Sequence, residues 1–321
     1  MAVDGKYLIA AAGNEQLINT YDIHSNGSLT FVAHADYALD NSNNCGSAGS
    51  IFFDHTGHSL YLQEYNIDCA NSGTASYAFD SSTGMLSYLG NTVTGSEYGN
   101  SNPASFIGNN TLAYAAGPSG CYIYSIPGFR RSGDGLLTEY DDGAPAYLPG
   151  PPGGFRIFAP DLAAADTTNH VAITETPANP PGCLGLPVRI STWTAGTNGK
   201  LTTTSTYANM PTTAIINPND LKMAPSGKLL AISGQEGLQV LHFNGANPAT
   251  KYTPLLTRNP INMMFWDKNN HLYAISQSAN KLYVFTVTET TYHEAPGSPY
   301  RITSPDDIIV RSWPLPWMTK K

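Results

Sequence analysis

The chain has 321 residues, of which 41% are hydrophobic and 12% charged, with a net charge of −8 at pH 7; a typical charged share is about 25%, so Asn, Ser, Thr, Gly and Tyr must cover much of the surface. Sixteen Lys and Arg against 24 Asp and Glu, with no basic run, argue against a nucleic-acid partner, and no apolar stretch reaches the roughly 18 residues of a membrane span. The length exceeds the roughly 100 to 200 residues of an ordinary domain, but closed all-β architectures run longer as single units, so one domain over 1–321 is expected.

Met1-Ala2-Val3-Asp4-Gly5 lacks the basic and apolar regions of a signal peptide and passes straight into a strand from Lys6 to Ala12, so an exported protein would carry its leader ahead of this sequence. Strand pairs with Gly-, Asn- or Ser-bearing turns follow in chain order: Leu17 to His24 with Ser28 to Val32, and Ser76 to Asp80 with Met85 to Tyr88. Further third-strand segments begin at Cys121, Val188, Leu238 and Lys281, the set at Val188 continuing into Lys200 to Thr203. Between them a second motif recurs. Asn219-Asp-Leu-Lys-Met-Ala-Pro-Ser-Gly-Lys-Leu-Leu-Ala-Ile232 has counterparts starting at Ser50, Asp161 and Asn262, a shorter-turned one at Ser105, and a truncated one at Asp307. Each reads as strand, tight polar turn, strand.

With Asp220 as the reference position, the motif opens on Ser50, Ser105, Asp161, Asp220, Asn262 and Asp307, at intervals of 42 to 59 residues. The residues one and three places on are mostly apolar, as in Ile51 with Phe53 and Leu221 with Met223, which is the period of a strand. The interval suits a four-stranded propeller blade. The expected fold is therefore an all-β propeller of four-stranded blades, six by this count with seven as the alternative. Pairing of the segment from Lys6 to Ala12 with that from Asp307 to Val310 would close the ring and leave no open edge.

In a propeller the entry to each inner strand shares a face with the loop between second and third strands. The long loops 64–74, 143–154 and 176–186 fall on this upper face, as do all four cysteines. Loops carry function more often than scaffold does. An even cysteine count without CxxC favours disulfides over zinc: Cys45 with Cys69 would tie one blade, and Cys121 with Cys183 two neighbours; four free buried thiols are the alternative. Disulfides and the low surface charge suit a secreted, periplasmic or cell-surface protein. A monomer is the expected state.

The inner motif Ala224-Pro-Ser-Gly-Lys-Leu-Leu-Ala-Ile232, the third strand Val240-Leu-His-Phe243 and the closing Ala295-Pro-Gly-Ser-Pro-Tyr300 resemble the lactonase-type β-propellers, which include 6-phosphogluconolactonase-like and carboxymuconate-cyclase-like proteins. The resemblance covers essentially the whole chain. It implies a propeller, usually of seven blades, whose catalytic His, Arg and Glu project from inner strands near the channel mouth. Here no His occupies the opening position of the motif, and Arg156 lies before an inner strand instead of on it.

The six opening residues are expected to ring the channel mouth as a ligand site. The carboxylates among them, Asp161, Asp220 and Asp307, offer the hard oxygen ligands that Ca²⁺ or Mg²⁺ requires. Against this stands the ordinary role of Asp, Asn and Ser as acceptors for backbone N–H groups at turns. Tyr65, Tyr98 and Tyr147 on upper loops suit stacking against sugars, while His55, His58 and His271 sit in or beside hairpin turns and read as turn residues. No serine stands in a G-x-S-x-G turn. The leading expectation is an exported propeller that binds a polar small molecule, glycan or cation at its channel mouth. The alternatives are a lactonase-like hydrolase or cyclase with an acidic channel site and a protein-interaction scaffold.

Overall fold

The computed structural model describes residues 2–4, 6–12, 17–24, 28–36, 47–65, 72–94, 103–117, 125–141, 146–179 and 182–303. These residues form six antiparallel sheets of chain-consecutive strands, with no helix among them. They are the six blades of a propeller, numbered here in chain order. Blade 1 holds Ala2–Asp4, Tyr7–Ala12, Leu17–Ile23 and Leu29–Asp36; blade 2 holds Ser47–Phe53, Ser59–Tyr65, Ser72–Asp80 and Met85–Thr94. Blade 3 is Ser105–Phe106, Leu112–Tyr114, Gly128–Arg131 and Leu137–Asp141; blade 5 is Pro218–Met223, Leu229–Gly234, Gly237–Asn244 and Asn247–Lys251.

Blades 4 and 6 are enlarged. Blade 4 combines Ile157–Ala165, His170–Asn179, Arg189–Ala195 and Leu201–Thr203 with two short additions, Leu148–Pro149 on its inner edge and Gly182–Cys183 on its second strand. Blade 6 combines Met263–Trp266, His271–Ser276, Lys281–Val287 and Tyr292–Glu294 with Tyr300–Arg301, which pairs with its third strand.

Ala2–Asp4 is the innermost described strand of blade 1, in the register Ala2↔Ile9, Val3↔Leu8 and Asp4↔Tyr7. The segment from Asp307 to Val310, expected to close the ring there, lies outside the described residues. In blade 3 the described third strand is Gly128–Arg131, and Gly117 N–H to Ser125 O (3.0 Å) and Ala115 N–H to Pro127 O (3.2 Å) continue the pairing irregularly before it, past Pro127, which has no N–H to return; Cys121, the expected start, lies outside the described residues.

The core lies between blades. Strand alternation sends one set of side chains to each neighbour, so Ile9, Leu60 and Tyr77 join blades 1 and 2, Tyr61, Phe106 and Phe129 join 2 and 3, and Tyr114, Phe158 and Trp193 join 3 and 4. Leu162, Leu230 and Phe243 join 4 and 5, and Val240, Met264 and Phe285 join 5 and 6.

On the lower face, where the inner hairpins turn, a tyrosine from one blade bolts the outer turn of the next. Tyr7 donates to Ser82 O (3.1 Å), Tyr61 to Gly135 O (2.9 Å) and Tyr114 to Gly199 O (2.6 Å). Gly84 shows why that turn needs glycine. Its φ is +78°, and a Cβ there would lie 2.6 Å from the Tyr7 ring.

Candidate functional site

The inner strands of blades 2 to 6 converge on a central cavity of about 320 Å³. Its upper rim carries Asn219 and Asn262 at strand entries, and His55, in the lower turn of blade 2, lines its other end. The two sides differ in chemistry. Blades 2 to 4 contribute Phe52 and Ala163 together with Ser50, Ser105 and His55, whereas blades 5 and 6 contribute Asn219, Asp220, Lys222 and Asn262 together with Met223 and Met263.

Asp220 is held from both sides. Its Oδ1 accepts the N–H of Leu221 (2.9 Å) and lies 3.4 Å from Lys222 Nζ, while Oδ2 accepts the N–H of Met264 from blade 6 (3.0 Å). Alternation along a strand puts Asp220 and Lys222 on one side, two residues apart. Asn219 Nδ2 donates to Ile261 O (2.8 Å), and Asn262 Oδ1 accepts the N–H of Gln277 (2.9 Å). Ser105 Oγ accepts the N–H of Ala165 from blade 4 (2.8 Å), and Ser50 also lines the cavity. Thus Asp220 and Ser105 each satisfy an inner-strand N–H of the following blade, a use of polar side chains that leaves fewer exposed backbone donors around the channel.

Four of the six opening residues, Ser50, Ser105, Asp220 and Asn262, therefore line the same cavity. They do not share one level. Each inner hairpin has a backbone N–H that closes its turn, on Asp54, Ile107, Asp166, Ala224 and Asp267 in blades 2 to 6. Ser50 and Asp220 stand four residues ahead of that group, Asp161 and Asn262 five, and Ser105 two. Bulges between Ala48 and Ile51, Pro160 and Ala163, and Pro218 and Asp220 absorb or add residues in this stretch, and each one-residue slip reverses the side a residue faces.

Asp161, within the blade 4 bulge, is not among the cavity-lining residues. Its surface is partly accessible but protein surrounds it closely, and that burial pushes its carboxyl up to about 6. Asp307 lies outside the described residues, as do Cys45, Cys69, Cys121 and Tyr98. Among the described residues no group of three His, Cys, Asp or Glu side chains is placed to hold a metal ion. Cys183 is not a free thiol.

Partial desolvation lowers the pKa of His55, although Asp54 opposes the shift and part of the side chain stays exposed. The other turn histidines are tied locally: His170 Nδ1 lies 2.9 Å from Asp166 Oδ2, and His271 Nδ1 2.8 Å from Asp267 Oδ2.

Two features were absent from the sequence expectation. Lys222 belongs to the cavity, and a second charge two residues from Asp220 on the same inner strand was its signal. Glu175, in the second strand of blade 4, has no exposed surface; its Oε1 accepts the hydroxyl of Ser191 (2.6 Å), which in turn accepts Trp193 Nε1–H (2.7 Å). Among the described residues its Oε2 has no hydrogen-bond partner, and burial pushes the carboxyl up to about 8.

No protein-family model matches the chain, and no curated protein does. Solved structures do. A functionally unknown protein from Desulfotomaculum acetoxidans is 8% identical over 91% of this chain and 79% of that one, with a TM-score of 0.60. A protein from Lactobacillus plantarum is 15% identical over 88% of this chain and 78% of that one, with a TM-score of 0.57. The periplasmic gluconolactonase of Pseudomonas aeruginosa aligns over 90% of this chain and 93% of its own at 14% identity and a TM-score of 0.45. At these identities the likeness is one of fold.

Proposed function

We propose that this protein is an exported propeller that binds a polar small molecule in its central channel. The observation that carries this reading is the placement of Asn219, Asp220, Lys222 and Asn262 on one side of a partly open central cavity of about 320 Å³, facing Phe52 and Ala163 with the hydroxyls of Ser50 and Ser105 beside them. Binding pockets of roughly 300 to 1,000 Å³ are typically apolar with a few convergent polar groups. The polar groups also have fixed positions, since Asp220, Asn219 and Asn262 are each hydrogen-bonded to backbone. A thermal-shift screen of sugars, organic acids and amino acids tests the reading. A ligand at a hundred times its dissociation constant adds about 2.7 kcal/mol of stability; its shift should vanish in Asn262→Leu. A hit that stabilises that variant equally binds elsewhere and removes the channel from consideration.

Export is supported by the low surface charge and by Cys183, which is not a free thiol. We infer two disulfides, Cys45 with Cys69 and Cys121 with Cys183, each contributing about 3 kcal/mol. Alkylation of unreduced, unfolded protein should add no mass. A gain of four alkyl groups rules the bridges out.

A further inference from the structure

We propose that the channel ligand is a free α-amino acid with an apolar side chain, held by its two charged groups against Asp220 and Lys222. The inference rests on the channel-binding reading and narrows it to one chemical class. Three observations carry it.

The first is charge balance. Asp220 and Lys222 both line the cavity, 3.4 Å apart, and the only other ionisable group among the described lining residues is His55, whose pKa desolvation lowers so that the neutral imidazole is favoured. The lining thus carries one positive and one negative charge. A ligand that is only an anion or only a cation would satisfy one and oppose the other, whereas a zwitterion answers both.

The second is unused capacity. An ionised carboxylate accepts at about four lone-pair sites, and the described contacts of Asp220 are the N–H groups of Leu221 and Met264 and the Lys222 ammonium. Those backbone bonds fix the carboxylate and leave room for one further donor, such as an α-ammonium. Lys222 has three N–H donors, one direction of which faces Asp220, and its side chain is 44% exposed. It can turn toward a ligand carboxylate without leaving its partner.

The third is the opposite wall. Phe52 and Ala163 are partly exposed to the cavity, with the buried Phe106 packed behind Phe52 at 6.5 Å centroid to centroid. An aliphatic or aromatic side chain projecting from the charged pair would meet that apolar surface.

The test is calorimetric titration of the whole chain with L-phenylalanine and L-leucine, alongside L-phenylalaninamide, N-acetyl-L-phenylalanine and D-glucose. The expected result is binding of at least one free amino acid, weakened about tenfold or more in both derivatives, because each deletes one charge. Lys222→Met should abolish discrimination between phenylalanine and its amide. Ala163→Leu, which takes up cavity space, should weaken both amino acids while the far-ultraviolet circular dichroism stays unchanged. Equal affinity for phenylalanine and either derivative overturns the proposal, as does failure of both amino acids to bind. If D-glucose binds and the amino acids do not, the channel reading survives and this inference fails; if all five probes fail, this inference falls, and the wider screen decides the channel reading.

Discussion

Glu175→Gln is expected to leave stability unchanged near pH 4 and to raise it by about 4 kcal/mol at pH 8, as measured by urea unfolding. Glu175 is fully buried with one oxygen unpartnered among the described residues, and its carboxyl is pushed from 4.5 up to about 8. Between those values the unfolded chain releases the proton and the folded chain keeps it. The native state then binds more protons, so stability falls as pH rises, by about 1.4 kcal/mol per pH unit. The neutral acid's contribution is complete below pH 4.5 and lost as pH passes about 8. Glutamine cannot ionise, keeps an acceptor for the Ser191 hydroxyl and has nearly the same volume. Parallel pH profiles for the two proteins would mean that Glu175 is charged in the fold.

Asp54→Ala should cost about 3 to 4 kcal/mol, read as a lower urea midpoint with an unchanged slope. The Asp54 carboxylate is closed to solvent and gathers four partners: the Thr56 hydroxyl (2.7 Å), Asn110 Nδ2 (2.9 Å), the Ser59 N–H (3.2 Å) and Arg131 Nε (3.0 Å). Two of these belong to the adjacent blade, so the substitution strands a nearly buried guanidinium and cuts the lock between blades 2 and 3. These partners hold the Asp54 pKa below the usual carboxylate range, outweighing the opposing effect of burial. The lock's stability is therefore present above about pH 4 and lost as the solution is acidified. An Asp54→Ala protein as stable as the parent would show that the ion pair does no more than offset its own desolvation.

These two residues also mark how far the sequence could be read. Asp54 stands in the repeated motif, where an acid before a Gly-containing turn signals a local cap, and the turn it closes is where the motif placed it. The continuous apolar run Leu229 to Ile232 after its polar turn likewise reported a buried strand, and the repeat interval reported six sheets. Glu175 follows the same alternation as Val171 and Ile173, so its burial was implicit. Its partner Ser191 comes from the next strand, however, and only register supplies that. The bulges were invisible for a similar reason. A bulge changes which residue opposes which across two strands, leaving the gapless alignment of Ser50, Asp161, Asp220 and Asn262 intact while moving those residues to different levels. Lys222 was legible as a charge in an inner strand. What the sequence lacked was the wall opposite, which comes from blades more than fifty residues upstream.

The most direct test of the channel as a ligand site is a density map of crystals soaked with the tightest hit from the binding screen. The account predicts an occupant in the central cavity, within hydrogen-bonding distance of Asp220 and Lys222 and lying against Phe52 and Ala163. A ligand seated elsewhere, or a bore filled by the protein's own side chains, would contradict it.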